Sequence, residues 1–284
     1  ILTSCCPGWI NFLKYHFPDL QYMPSTCKSP QQMTGAVIKT YYAQKMGIAP
    51  EDIVVVSVMP CIAKKYEASR PEEETYGLRD VDYVLTTREI AKMLKEGAAD
   101  LRYLPEQEFD DPLGQSTGAG VIFGGSGGVL EATLRTVYEL KTGKELTDVT
   151  FHGVRGMEGI REASIELDGR VVRVAAVSGL GNARRVLEKI RKGQEKYDII
   201  EIMACPGGCV NGGGQPYAED REEIIEKRLN GLYQLDRSMT IRKSHRNPAV
   251  LELYQNFLGE PGSIKAHEIL HLSHHLAEEP ACGS

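Results

Sequence analysis

IVVVSVMPCIAKKYEASR, residues 53–70, is the stretch on which the fold turns. Residues 53–59 form a continuous apolar run rich in β-branched side chains, the mark of a strand buried on both faces. Pro60 ends that run, because proline brings no N–H to a strand ladder. Cys61 follows at the turn, with Lys64 and Glu67 at three-residue steps after it. If 61–70 opens a helix, these three side chains share one face.

The same strand-then-helix unit recurs outward from this stretch. VDYVLTT (81–87) runs into REIAKMLKEG, which Gly97 stops; VRVAAVSG (172–179) runs into NARRVLEKIRKG; DIIEIMA (198–204) is a fourth strand. In ASIELDGRVVRV (163–174), Asp168-Gly169 between two alternating runs signals a tight hairpin. This order predicts an α/β fold with a mostly parallel sheet and antiparallel additions. STGAGVIFGGSGGVLEATLR (116–135) is glycine-rich and leads into a helix near Gly128. Residues 235–284 read as a helical tail, and there is no internal repeat or low-complexity linker.

With 284 residues, 42% hydrophobic and 25% charged, the chain can bury a sizeable core. A net charge of -6 argues against a nucleic-acid surface. No apolar run approaches the roughly 18 residues of a membrane span. The chain opens on ILTSCCPGW, without Met and without a charged leader before an apolar stretch, so it reads as a fragment with no signal peptide. Its seven cysteines are odd in number and sparse, unlike a disulfide framework. They point to a reducing, cytoplasmic setting and to a metal or redox role.

The cysteines follow the strands. Cys61 comes after the strand ending at Met59, Cys205 after the strand ending near Ala204, and Cys5 and Cys6 after a short apolar start. Ligands of open α/β folds gather outside the carboxyl ends of strands, so three strand ends can deliver thiols to one spot. In EIMACPGGCVNGGGQP (201–216), Cys205 and Cys209 flank two glycines, and Gly212 to Gly214 follow. Glycine lets backbone approach a bulky group, and exposed N–H groups in such a loop can donate to cluster sulfides. Four thiolates from three loops suit an iron–sulfur cubane. A four-cysteine zinc site stays open, although structural zinc usually uses paired knuckles.

TSCCPGW (3–9), MPCIAKKYE (59–67) and EIMACPGGCVNGGGQP resemble, in order, the three signatures of the iron-only (FeFe) hydrogenases. KSPQQMTG (28–35), FGGSGG (123–128) and IRKSHRNPAVLELYQNFLGEPG (241–262) carry the resemblance over essentially the whole chain. It implies a two-lobed α/β catalytic domain with mostly parallel sheets and a helical C-terminal tail. Residues 1–284 would be its C-terminal portion, with the N-terminal portion absent.

The resemblance further implies reversible reduction of protons to H2 at an H-cluster. That cofactor is a 4Fe–4S cubane joined to a two-iron unit carrying CO, cyanide and a bridging azadithiolate. Cys6, Cys61, Cys205 and Cys209 would be the cubane ligands, with the Cys209 sulfur shared. Cys5, pointing away from Cys6, would relay protons to the azadithiolate amine. Lys64 would donate to a cyanide. Ser29, Pro30 and Gln31 would lie beside the two-iron unit, Met59 and Met203 would pack around it, and Phe123 and Gly124 would wall a bridging carbonyl. Ser25 would stand on the proton path, Glu67 would be structural, and Cys27 and Cys282 would be ordinary thiols. Implied partners are H2, protons, maturation proteins, and a ferredoxin-like carrier or partner subunit supplying electrons.

Three other readings stand beside this one. The family has relatives that act in hydrogen sensing or iron–sulfur assembly. His267-Glu268-x-x-His271, with His274 or His275 as a third ligand, matches a zinc-hydrolase pattern. Gly179-x-Gly181-x-x-Arg184 is a dinucleotide fingerprint without its third glycine, and reads as a plain strand-to-helix turn.

Overall fold

The structure is a computed structural model that describes residues 1–108, 110 and 112–272. Among the described residues it contains two separate sheets. In one, β1 (Val56–Met59) pairs in parallel with β2 (Tyr83–Thr86). In the other, β3 (Ile160–Leu167) pairs antiparallel with β4 (Arg170–Ser178), and β4 pairs in parallel with β5 (Ile199–Met203). Asp168 and Gly169 join β3 to β4 with φ of 52° and 76°, both left-handed as a two-residue type I′ hairpin requires. Leu2 bridges Ile200 and Pro24, so the start of the chain lies along β5.

The three-stranded sheet is covered on both faces. Ala175, Val177, Ile200 and Ile202 pack against Trp9 and Leu13 of the Pro7–His16 helix and against Val186 and Leu187 of the Leu180–Arg191 helix. Val174 and Ala176, the alternate residues of β4, pack against Leu130 and Leu134 of the Gly128–Thr142 helix. That alternation is what a strand with a helix layer on each side produces.

β1 departs from its predicted burial. Val54, Val56 and Val58 are 64%, 50% and 52% exposed, while Val55, Ser57 and Met59 between them are half-buried. Apolar continuity foretells a strand, but two-sided burial needs a second covering layer, and the described residues supply one side only.

The helix after β1, Ala63–Ala68, is shorter than the predicted 61–70, so Cys61 sits in the turn ahead of it. The Thr87–Glu96 helix begins with a capping box between Thr86 and Glu89 and ends at Gly97. Helical structure near the C-terminus begins well before residue 235, with Arg221–Ser238. It continues through Pro248–Leu253, a π turn over Tyr254–Leu258, and Ile264–Leu270. Leu258, Ala266 and Ile269 pack on Ala36 of the Pro30–Val37 helix. Arg135, wholly buried, pairs with Glu131 at 2.6 Å and Asp236 at 2.8 Å, locking the Gly128–Thr142 helix to the Arg221–Ser238 helix. No helix among the described residues is long and apolar enough to cross a membrane.

Candidate metal centre

Three strand ends and their turns deliver the thiols. The Thr3 N–H donates to Ile200 O at 3.0 Å, which carries the chain start alongside β5 to Cys5 and Cys6. Cys6 is the extended residue that caps the Pro7–His16 helix, and its Sγ accepts from the Ala204 N–H at 3.4 Å. Cys61 follows Pro60 beyond β1; Cys205 follows Ala204 beyond β5; Cys209 opens a short 3₁₀ turn. All six described cysteines are free.

Glycine is required where these loops close on each other. Gly207 and Gly208 have φ of 76° and 99°. A Cβ on Gly208 would stand 2.4 Å from Ser126 N and 3.0 Å from Gly124 O, which locks the Cys209 loop against the FGGSGG turn. A Cβ on Gly212 would stand 2.0 Å from Pro60 O.

Burial governs the electrostatics. It pushes the Cys5 thiol up to about 12, with Glu201 adding to the effect and Lys64 opposing it. It pushes Cys205 up to about 11, helped by Cys6 and Cys61. Cys209 is raised well above the ordinary range by burial and by Cys6, Cys5 and Cys61, and Cys6 is raised by burial. Cys5 therefore does not titrate near the ordinary thiol value. The four expected ligand thiols lie within one another's electrostatic reach in a low-dielectric site. They could ionise together only around concentrated positive charge, as a metal cluster provides. Among the described residues, no three His, Cys, Asp or Glu side chains converge tightly enough to hold one metal ion.

Glu67 is the hub of a buried polar group beside the thiols. Lys64 Nζ donates to both Glu67 oxygens, at 2.9 and 2.8 Å, and to the Cys5 carbonyl at 3.0 Å. Burial works against the Lys64 charge, but Glu67 prevails and holds its pKa above the ordinary lysine value. The Ser29 hydroxyl donates to Glu67 at 2.7 Å, and Gln31 Nε2 donates to it at 3.3 Å while Ser57 donates to Gln31 Oε1 at 2.9 Å.

Pro30 begins the helix that Ser29 caps. Met59 and Met203 are the last residues of β1 and β5, each just ahead of a cysteine turn. Phe123 and Gly124 lie in the 3₁₀ turn that packs on Gly208. The Ser25 N–H donates to Leu2 O and its hydroxyl accepts from Cys27 N. Cys27, expected as an ordinary thiol, has its Sγ 3.7 Å from His271 Nε2.

Glu201 was not singled out from sequence. It is wholly buried and accepts from the N–H groups of Gly127 and Leu130 at the start of the Gly128–Thr142 helix. The signal was available: it is a lone charge inside the apolar run IIEIMA.

Of the zinc-hydrolase pattern, the described residues hold His267, Glu268 and His271; the helix ends at Leu270, so His271 is an extended cap residue, its ring centroid 4.1 Å from that of His267. The His271 Nδ1 is 2.7 Å from the Thr26 hydroxyl, and the Tyr76 hydroxyl donates to Glu268. His274, His275 and Cys282 lie outside the described residues. Gly179, at φ 88°, makes the plain turn into its helix.

Comparison with known proteins accords with this geometry. The family model for the iron-only hydrogenase large subunit, C-terminal domain, matches residues 1–213, and that for the iron hydrogenase small subunit matches residues 222–276. The chain is 53% identical to the NADP-reducing hydrogenase subunit HndD of Solidesulfovibrio fructosivorans, over 95% of its own length and 46% of that protein. It is 43% identical to iron hydrogenase 1 of Clostridium pasteurianum, over 96% and 48%. It is also 36% identical to cytosolic iron-sulfur assembly component 3 of Mus musculus, over 100% and 60%. The apo [FeFe]-hydrogenase HydA1 of Chlamydomonas reinhardtii, in a variant form, superposes with a TM-score of 0.83 at 45% identity, over 95% of this chain and 75% of that one. The chain spans about half the length of the two hydrogenases named first. It belongs to the iron-only hydrogenase large-subunit family.

Proposed function

We propose that this chain is the cluster-holding part of an FeFe-hydrogenase that interconverts two protons and two electrons with H2. The observation that supports the reading is that Cys61 and Cys205 leave the ends of β1 and β5, that glycines close their loops on one another, and that Cys6 and Cys61 lie within electrostatic reach of Cys205 and Cys209. These residues would hold a 4Fe–4S cubane, with the Cys209 sulfur shared with a two-iron unit bearing CO, cyanide and azadithiolate. When bound, that cofactor supplies the redox chemistry and the place where H2 is made or split.

The chain's own residues bind, orient and move protons. Lys64 has three donors, and all three are engaged by Glu67 and Cys5. Lys64 would turn one of the two N–H groups it now gives Glu67 toward a cyanide ligand, keeping the other to balance its charge. Cys5 carries its proton on Sγ, where burial favours the neutral thiol, so it acts as a donor that is refilled. The Ser25 hydroxyl, able to donate and accept, would extend that route. Pro30, Met59, Met203, Phe123 and Gly124 would keep water from the two-iron unit, with Ser29 and Gln31 fixing the helix start beside it.

Electrons would come from a ferredoxin-like carrier or another subunit, and the two-iron unit from maturation proteins. The free cysteines suit a reducing, cytoplasmic compartment. A non-catalytic role in iron–sulfur assembly is the second reading, favoured by the mouse relative's 36% identity over the whole chain. Anaerobic reconstitution with iron and sulfide tests ligation. Wild type takes up one cubane's worth and Cys61→Ala does not; a full complement in Cys61→Ala would overturn the assignment.

A further inference from the structure

A cavity of about 180 Å³ lies between the Pro7–His16 helix, the 24–29 segment and the stretch around residues 67–73. Its wall runs from exposed Lys14 and Gln21, past Ser25, to buried Ser29, Glu67 and Glu73. A space of that size has room for several waters, each needing only about 10–15 Å³ of such volume.

Glu73 is 5% exposed, and its Oε2 has no hydrogen-bond partner among the described residues. Its other oxygen lies 3.6 Å from the Arg70 guanidinium, outside hydrogen-bond range. The nearby Lys28 amine gives its bonds to the Glu73 carbonyl, the Thr75 hydroxyl and Asp80, and none to the Glu73 carboxyl. A permanently ionised carboxylate so placed would be costly. Burial, with the Glu67 charge adding and Arg70, Lys28 and Lys64 opposing, pushes Glu73 up to about 7. The carboxyl thus borders a cavity of mixed polar and apolar lining that runs to exposed Lys14 and Gln21, and burial raises its pKa to about 7.

The inner wall of that cavity leads to Cys5 in three contacts. Ser29 donates to Glu67, Lys64 donates to Glu67, and Lys64 donates to the Cys5 carbonyl. We propose that Glu73 is a proton-relay residue, exchanging protons between solvent and the Cys5 side of the site through this cavity. The proposal rests on the hydrogenase reading. In the H2-forming direction, the Glu73 carboxylate takes a proton from solvent. Its O–H bond then breaks to pass that proton across the cavity toward Cys5, and the carboxylate is restored. No electron passes through it, and H2 oxidation runs the same transfers backward.

The test compares the loaded, full-length enzyme with Glu73→Gln and Glu73→Asp. The relay predicts that the wild-type rate of H2 evolution falls as pH rises through the Glu73 pKa of about 7. Glu73→Gln loses at least about tenfold below that pH and loses this limb of the profile, whereas Glu73→Asp keeps a limb. Carbonyl and cyanide infrared bands are unchanged in both. An independent readout is a carboxylic-acid infrared band that titrates near pH 7 in wild type, shifts in Glu73→Asp and is missing in Glu73→Gln. A full rate with an unchanged limb in Glu73→Gln would overturn the relay, as would a Glu73 carboxyl already ionised at pH 5. Absence of carbonyl bands in wild type would instead defeat the hydrogenase reading, and the relay with it.

Discussion

Gly214 donates its N–H to the carbonyl of Pro60 at 2.9 Å, tying the loop after β5 to the turn that carries Cys61. The neighbouring Gly212 allows that approach, because a Cβ there would stand 2.0 Å from Pro60 O. Gly212→Ala is therefore expected to push Cys61 away from Cys205 and Cys209. Iron and sulfide uptake on reconstitution should weaken by roughly 10–100-fold, the usual scale when support around a metal site is lost. Gly181→Ala, with open space around it, is the control and should bind normally.

Lys64 and Glu67 are 9% and 3% exposed as side chains and share a 2.8 Å ion pair. Removing one partner of such a pair strands a buried charge, at a cost of about 3–5 kcal/mol. Glu67→Ala should lower stability by that amount in denaturant titrations. Lys64→Met with Glu67→Leu should recover much of it, since a well-packed apolar pair avoids the desolvation cost. A double variant as unstable as Glu67→Ala would show that Glu67 acts through Ser29 and Gln31 instead.

Much of the fold was legible in the sequence, and Cys61 and Cys205 stand where the pattern put them, in the turns just beyond β1 and β5. β2, β4, β5 and the Asp168-Gly169 hairpin all follow from periodicity and turn chemistry. What escaped depends on partners distant in the chain. Glu67 gains its importance from Ser29 and Gln31, more than 30 residues away, and Glu201 from the helix start at Gly127. The exposure of Val56 and Val58 depends on how many layers cover β1, which local pattern cannot encode. The start of the Arg221–Ser238 helix was missed although Asp220 caps it by accepting from Glu223 N.

Glu73 also predicts a pH dependence of stability. Its folded pKa is raised by burial to about 7, above that of the unfolded chain. As pH rises through the ordinary carboxylate range the unfolded state ionises first, so the folded state loses relative stability. That loss should accumulate up to about pH 7 and then level off. The difference in melting temperature between wild type and Glu73→Gln, measured from pH 4 to 8, should show this trend. A difference independent of pH would mean that Glu73 is not raised.

Cys5→Ala separates cluster holding from proton transfer. Cys5 shares a peptide bond with Cys6 but is not among the proposed ligands, so the variant should keep its iron and sulfide. H2 turnover should fall by about 10²–10⁴-fold, the range for a lost acid–base group. Wild-type turnover in Cys5→Ala would remove this thiol from the mechanism.

The central claim is that these four cysteines hold a cubane joined to a two-iron carbonyl unit. The most direct measurement is an anaerobic infrared spectrum of the full-length protein, produced in a host that carries the maturation proteins. Metal-bound CO and cyanide absorb where polypeptide is silent, and the account predicts bands from both. Iron and sulfide present without those bands, with no H2 evolution after addition of a synthetic two-iron unit, would contradict it and leave a cubane protein of the iron–sulfur assembly kind.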